Sequence, residues 1–475
     1  MMTFRQAPPA ESGRPSDRVL GRPRSPFLAL IVGLGLFLAA CGQGTTESQA
    51  PSDEPNAAAS AEESTAASEA PTSSVESIKI GLLFPTTGGM GFLGTDQANG
   101  VKLVLEHANT NGGVNGVPIE IFEADSQSDP GVGATEAQRL IDEHDVDIII
   151  GSYSSGISQA ASPVAERNGV IYWEIGSVAD GLSQQGYQNF IRTVGIASTY
   201  AEADIDFLTN YIAPQLDKAP EEVRIAIAHE NGAFGSSVGD AIEAIADEQG
   251  LNVVIREPYA EDSTDLTPLV LRLKDATPDV LFIVPLPGST IMFWEQARAQ
   301  DFNVSAIIGS AGFSSPSFIE RFGAEGIEGV MVVEAPAVAH MKTDGLDPEV
   351  GALLEELVTE FEDLYGHECL VHCGDGLGGT HILVSDVLPR ALAESDSVDA
   401  EAIRQAADAT DIAEGGTLQG FGAEFAPVDA DNAGDNVRAR SYIMQWHDGA
   451  LEVVWPEGLA VAQSQFPMPT WSERE

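Results

Sequence analysis

Two windows of the chain, residues 78–178 and 222–313, carry the same order of short apolar runs and amphipathic stretches. In the first, "IKIGLLF", "PIEIFEA", "VDIIIGS" and "VIYWEIGS" read as strands. They are separated by the helical stretches "DQANGVKLVLEHANTNGG", "GVGATEAQRLIDEHD" and "ISQAASPVAERNG". In the second, the strands are "VRIAIAH", "LNVVIREPY", "DVLFIVP" and "VSAIIGSAG". Their helices are "SSVGDAIEAIADEQG", "DLTPLVLRLKDAT" and "TIMFWEQARAQD". Strands alternating with helices that stop at Gly or Asn-Gly indicate right-handed βαβ units in a parallel sheet. The expected fold is therefore α/β, with two doubly wound parallel-sheet lobes. Open parallel sheets bind ligands beyond the carboxyl ends of their strands. Those loops fall near 86–94, 152–157 and 174–178 in the first lobe, and near 230–235, 285–290 and 310–313 in the second. Two such edges facing each other make a cleft.

Beyond the second window the pattern changes. "GVMVVEAPA" reads as a crossover, "PEVGALLEELVTEFEDLYG" as an amphipathic helix, and "THILVSDVLPRALAES" and "VDAEAIRQAADAT" as two more. "ARSYIMQWHDGALEVVWPEG" reads as a hairpin turning at His447-Asp448-Gly449. These pieces lack a complete sheet of their own and must return to the two lobes.

The amino-terminal end points to export. Five arginines in the first 26 residues precede "FLALIVGLGLFLAA", residues 27–40. That apolar run is too short to span a bilayer and has the form of a secretory signal. Leu38-Ala39-Ala40-Cys41-Gly42 matches the bacterial lipobox, so residues 1–40 are expected to be a lipoprotein signal peptide and Cys41 the lipidated residue. Residues 41–77, rich in Ala, Ser, Thr, Glu and Pro with Val75 their only branched apolar side chain, form an expected disordered tether.

A formal charge of −50 excludes a general nucleic-acid binder, because phosphate contacts need lysine and arginine. The acidity fits either adaptation to salt or an ordinary acidic surface. Apart from Cys41, the only cysteines are Cys369 and Cys373, in "HECLVHC". A small-loop disulfide is the expectation outside the cytosol; a zinc site drawn from this one stretch and free thiols are the alternatives.

Gly89-Met90-Gly91-Phe92-Leu93-Gly94 spells G-x-G-x-x-G after a strand. A dinucleotide loop needs its first glycine at the strand's end, whereas Pro85-Thr86-Thr87-Gly88 intervenes here. Asp125 also lies too far along the chain for the ribose acid. No cofactor is expected, and the glycines are read as letting the first cleft loop turn close to a ligand. No Ser-His-Asp order, G-x-S-x-G or H-E-x-x-H occurs, so no catalytic residue is assigned and the chain is not expected to be an enzyme.

"IKIGLLFPTTGGMGFLG", "NGGVNGVPIEIFEADSQSDP", "IIGSYSSGISQAASPVAERNGV", "GYQNFIRTVG" and "FGSSVGDAIEAIADEQG" together resemble the branched-chain amino-acid (Leu/Ile/Val) binding proteins of bacterial ABC importers, over roughly residues 78–455. The resemblance implies a type I periplasmic-binding fold with three crossovers, near 194–198, 332–336 and 414–420. Lobe one would be 78–193 plus 336–414, and lobe two 197–332 plus 418–475. It implies an extracytoplasmic, lipid-anchored monomer that captures a small solute and hands it to an ABC permease; a ligand sensor that presents its closed form to a membrane receptor is the alternative.

The resemblance also supplies a ligand set. Ser155, with the amides near Gly156 and Ser158 at a helix N-terminus, matches the carboxylate site. Gly176, Ser177 and Val178 match a ligand loop, Phe234 a covering aromatic, and Leu93 beside Phe92 an aromatic wall. The family's acid for the ligand ammonium falls on Ala311 and a polar aromatic on Leu286. Its disulfide cysteines fall on Ser128 and Ser154. Lobe two would then present Phe234, Leu286, Ala311 and Phe313 without a charge. Glu174 is the one acid assigned near the site as a replacement. The expected ligand is an amino acid if Glu174 serves, and otherwise a carboxylate or amide with an apolar body.

Overall fold

The computed structural model describes residues 74–474. The expected signal peptide, Cys41 and all of the tether before Ser74 lie outside them. The last residues of that tether are docked rather than loose: the Ser74 amide donates to the Asp396 carboxylate at 3.0 Å, and Val75 packs on the core of lobe one.

Lobe one contains β1 (Ile78–Phe84), α1 (Gly91–Thr110), β2 (Ile119–Asp125), α2 (Pro130–His144), β3 (Ile148–Gly151), α3 (Ser155–Asn168), β4 (Ile171–Glu174) and β5 (Phe190–Arg192). Its five strands run in the order β2-β1-β3-β4-β5, all parallel. The second sheet follows α4 (Ala197–Phe207), which runs through a wide turn into short α5 (Ala213–Gln215). It contains β6 (Arg224–Glu230), α6 (Ala233–Gln249), β7 (Asn252–Tyr259), α7 (Thr267–Ala276), β8 (Val280–Val284), α8 (Pro287–Ala299), β9 (Ala306–Gly309), α9 (Pro316–Ile327) and β10 (Met331–Glu334). Then come α10 (Pro348–Tyr365), α11 (Val371–Ile382), α12 (Leu388–Ser395), α13 (Ala400–Asp408), β11 (Tyr442–His447) and β12 (Ala450–Trp455). The second sheet has the order β12-β11-β10-β9-β8-β6-β7, its last two strands forming an antiparallel hairpin. Asp448 and Gly449 at the hairpin tip both have positive φ, as a two-residue primed turn requires.

Both faces of the lobe-one sheet are covered. Ile78, Ile80, Ile148, Ile150 and Trp173 face a core shared with α1 and α11–α13, while Leu83, Ile149 and Tyr172 face α2 and α3. Burying each such aliphatic side chain contributes roughly 1.5–3 kcal/mol, which is why these strands read as unbroken apolar runs.

Three details differ from the sequence reading. First, α1 starts at Gly91, so Gly91 and Gly94 lie in its first turn rather than in a cleft loop. A Cβ on Gly94 would sit 2.3 Å from the Pro85 carbonyl oxygen; the glycine lets the helix press on the segment after β1. Second, α11 begins at Val371, through "VHCGDGLGG", a stretch whose glycines argue against a helix. The reason is packing: a Cβ on Gly376 would meet the Gln97 carbonyl of α1 at 2.4 Å, and one on Gly100 the Cys373 carbonyl at 2.5 Å. Third, the last crossover lies beyond Asn436, not at 414–420. Ala423 and Phe425 belong to the core of lobe one, and Asp435 pairs with Arg192 at 2.8 Å. Residues 422–436 therefore extend lobe one, against the expected assignment of 418–475 to lobe two. That segment has no strand or helix period to announce where it packs.

Candidate ligand-binding site

Strand register brings the loops together. Leu83, Gly151 and Glu174 are aligned across β1, β3 and β4, and Ile283, Gly309 and Val332 across β8, β9 and β10. The two carboxyl edges enclose a small cavity, about 30 Å3. Lobe one lines it with Met90, Tyr153, Ser154, Ser155, Gly176, Val178, His372 and Asp375. Lobe two contributes Phe234, Leu286, Ala311 and Glu334, and Tyr200 enters from α4. The lobes touch beside it: the Asp180 amide donates to Ser237 Oγ at 3.0 Å, and His372 Nε2 lies 3.4 Å from Ser314 Oγ. About 30 Å3 is room for a water or two, so a larger solute needs the lobes further apart than here.

One pole of the cavity suits an anion. The first backbone bond of α3 is from the Ser158 amide to the Ser154 carbonyl, 2.9 Å, so the amides of Ser155, Gly156 and Ile157 precede the helical ladder. Ser155 Oγ accepts from the Ala179 amide at 3.2 Å and keeps its own proton to donate.

Glu174 is not at this surface. It is fully buried, and its carboxylate accepts from the amides of Ser152 (3.1 Å), Gly176 (2.8 Å) and Ser177 (2.7 Å) and from the Ser158 hydroxyl. Ser158 also meets Ser177 Oγ at 2.9 Å and Tyr172 Oη at 3.1 Å. Glu174, Ser158 and Ser177 thus form a polar knot behind the cavity that fixes the loop after β4 and the start of α3. The expected role of Glu174 as the acid facing a ligand is corrected: its acceptors are spent on the chain's own donors.

The acids that do face the cavity are Glu334 and Asp375, which the sequence reading missed. Glu334 ends β10, two residues past the register pair Val332–Gly309, and its Oε1 accepts from the Ala311 amide at 2.7 Å. Its Oε2 is buried without a hydrogen-bond partner among the described residues. Burial pushes its pKa up to about 8, offset in part by the neighbouring Ser314 hydroxyl and the Ala311 amide. Asp375 Oδ1 accepts from Gln419 Nε2 at 2.7 Å, while its Oδ2 stands 4.0 Å from His372 Nδ1. Burial and the nearby Glu334 carboxylate raise its pKa. Burial also lowers His372 to about 4, so the ring is neutral; it stands edge-on to Tyr153, 5.3 Å between centroids. Tyr153 and Ala311 have φ values of 72° and 49°, an uncommon conformation for residues other than glycine.

Of the residues assigned from sequence, Ser155, Gly176, Val178, Phe234, Leu286 and Ala311 line the cavity. Leu93 is in the core of lobe one, and Phe92 is exposed, tilted against His367; Met90 takes the wall position instead. Phe313 is buried in the core of lobe two. Gly156 lies behind the lining, in the first turn of α3. Asp125 accepts from Thr86, Thr87 and Gln127, which ties it to the loop after β1. Cys369 and Cys373 are joined by a disulfide at the start of α11, where the Cys373 amide donates to Asp96 Oδ2 at 3.2 Å.

Residues 77–450 match the family model described as periplasmic binding protein. Two curated relatives from Brucella abortus match over most of the chain. "Leu/Ile/Val-binding protein homolog 7" is 33% identical over 394 residues, covering 82% of this chain and 94% of the relative. "Leu/Ile/Val-binding protein homolog 8" is 31% identical over 398 residues, covering 83% and 94%. Among solved structures, the branched-chain amino acid transporter substrate binding protein LivJ from Streptococcus pneumoniae, in complex with isoleucine, superposes with a TM-score of 0.66. It is 18% identical, over 82% of this chain and all of that one. A solute binding protein of an ABC transporter from Rhodopseudomonas palustris, in complex with 3,4-dihydroxybenzoic acid, gives a TM-score of 0.64. It is 21% identical, over 79% and 95%.

Proposed function

The chain belongs to the periplasmic binding protein family, and from that membership we propose that it is a lipid-anchored capture protein of an ABC importer, closing on a small amino-acid-like solute. The observation that carries this reading is the polarity of the cavity. The open amides of α3 and the Ser155 hydroxyl form one pole, and the buried, half-satisfied carboxyl of Glu334 is on the wall that lobe two contributes. A solute with a carboxylate and an ammonium fills both roles. The carboxylate meets amides and a helix end, and the ammonium gives Glu334 Oε2 the partner it lacks. Phe234, Leu286, Val178 and Met90 pack its apolar body.

The relatives support the class. Two are named for leucine, isoleucine and valine, and one structural neighbour holds isoleucine. The neighbour holding dihydroxybenzoic acid carries a carboxylate without an ammonium, so the acid wall is the feature that argues for an amine here. Capture works by hinge closure between lobes, with the Asp180–Ser237 and His372–Ser314 contacts formed on closing. Cys41 holds the mature protein at the outer face of the membrane, and the permease receives the solute.

Calorimetric titration with the common amino acids tests the reading. Binding is expected for at least one, and Ser155→Ala and Glu334→Gln should each weaken it by about tenfold or more, the worth of a lost charged hydrogen bond. Affinity that survives both substitutions would contradict it.

A further inference from the structure

Glu334 accounts for one ammonium, and Asp375 has no such task. It is buried, lines the same cavity, and comes from α11, an element far in sequence from β10. Gln419 satisfies only one of its oxygens. The other faces no cation: the nearest side-chain nitrogen with which it could form an ion pair is that of neutral His372, at 4.0 Å. Among the described residues, no lysine or arginine lines the cavity. The remaining described lining side chains add hydroxyls (Tyr153, Tyr200, Ser154, Ser155) and apolar groups.

An amino acid with an apolar side chain brings one carboxylate and one ammonium, no net charge. Its carboxylate lies against the α3 amides and its ammonium against Glu334. A second buried carboxyl is then left either ionised without a counter-charge, which costs several kcal/mol, or protonated in a lining that gains nothing from it. Two carboxyls lining one buried cavity, with no basic side chain among the described lining residues, are ionised together only if the solute brings positive charge to both.

Resting on the solute-capture reading above, we propose that the solute carries a second basic nitrogen, bound by Asp375, and is of the diamino-carboxylate class rather than a simple aliphatic amino acid. Glu334 takes one nitrogen and Asp375 Oδ2 the other. Phe234, Leu286 and Val178 cover the methylene chain between them. Tyr153 and Tyr200 accept hydrogen bonds from the remaining N–H groups. Asp375 is then the residue that sets specificity, while Ser155 and Glu334 set affinity for the whole class.

The test is calorimetric titration of the full chain, near neutral pH, with lysine and ornithine, with leucine, and with an aromatic carboxylate. The wild-type protein is expected to bind a diamino acid at least about tenfold tighter than leucine, the span a charged hydrogen bond covers. Asp375→Asn should erase that preference, bringing the diamino acids to within a few-fold of leucine. Leucine binding as tightly as the diamino acids, or a preference that survives Asp375→Asn, would overturn the proposal. An aromatic carboxylate binding tightest would overturn it while leaving solute capture intact, and binding of none of these would overturn both. Should Asp375→Asn not fold, the wild-type comparison decides alone.

Discussion

Glu334→Gln should stabilise the solute-free protein while weakening capture. In the unfolded chain this carboxyl ionises above its ordinary pKa of 4.5; in the folded protein it holds its proton up to about 8. The sign follows from linkage. A folded pKa raised above the unfolded one gives a contribution that is fully present below 4.5 and is lost as pH rises through about 8. At pH 7 the unfolded chain has released the proton and the folded one has kept it. The difference of 2.5 pH units, at about 1.4 kcal/mol each, costs the fold about 3 kcal/mol. A glutamine can keep accepting from the Ala311 amide and has no proton to take up. Urea unfolding of the solute-free proteins should therefore show Glu334→Gln more stable by up to about 3 kcal/mol at pH 7, and by under about 1 kcal/mol at pH 5. A variant that is less stable at pH 7, or a difference that does not change with pH, would refute the reasoning. A site that gives up stability for function is common where a ligand supplies the missing partner.

Other outcomes follow from the same structure. Arg192→Met strands the buried Asp435 carboxylate and frees the Ser177 and Ala179 carbonyls that the guanidinium holds. It should lower unfolding stability by about 3–5 kcal/mol in urea titration. Gly94→Ala pushes a methyl into the Pro85 carbonyl, whereas Gly89→Ala meets nothing within 4 Å; unfolding stability in urea should drop for the first, by about 1–3 kcal/mol, and stay nearly unchanged for the second. Burial raises Asp96 and Glu230 to about 7, so their contributions, like that of Glu334, fade as pH climbs through 7. Burial lowers His372 and His381 to about 4, so theirs fade as pH falls below 6.5 toward 4. With three carboxyls losing stability and two imidazoles gaining it over the same range, the solute-free melting temperature should be highest near about pH 4–5 and fall toward pH 8. Cys41→Ala should leave the precursor unprocessed or shed from membranes; fractionation with the membrane unchanged would remove the lipid-anchor argument.

The order of strands and helices was legible because buried parallel strands and amphipathic helices leave different periods in the chain. "VDIIIGS" and "DVLFIVP" could hardly be anything but buried strands. The hairpin tip was legible from Asp448-Gly449, which tolerate the positive φ it needs. The glycines of α11 were misleading: in isolation they weaken a helix, yet here they allow backbone contact with α1. At the site, the loops that carry Ser155, Gly176, Val178, Phe234, Leu286 and Ala311 were legible from the strand ends, and the resemblance to the Leu/Ile/Val-binding proteins picked out the individual residues. Glu174 and Glu334 show the limit. Both end a buried strand, in "IYWE" and "MVVE", and nothing local distinguishes them. Three backbone amides and a serine converge on the first, while only one amide reaches the second. Glu334 could have been nominated by extending the strand-end rule to β10; Asp375, on a helix that packs against lobe one from 275 residues and more downstream of α1's own Asp96, left no comparable signal.

On the proposed function, the cleft holds a nitrogen-bearing carboxylate between Ser155 and Glu334. Mass spectrometry of small molecules released from the natively purified protein tests it most directly. The expected result is a near-stoichiometric solute with one carboxylate and at least one basic nitrogen, absent from the same preparation of Glu334→Gln. A solute without basic nitrogen, or the same solute retained in full by Glu334→Gln, would contradict it.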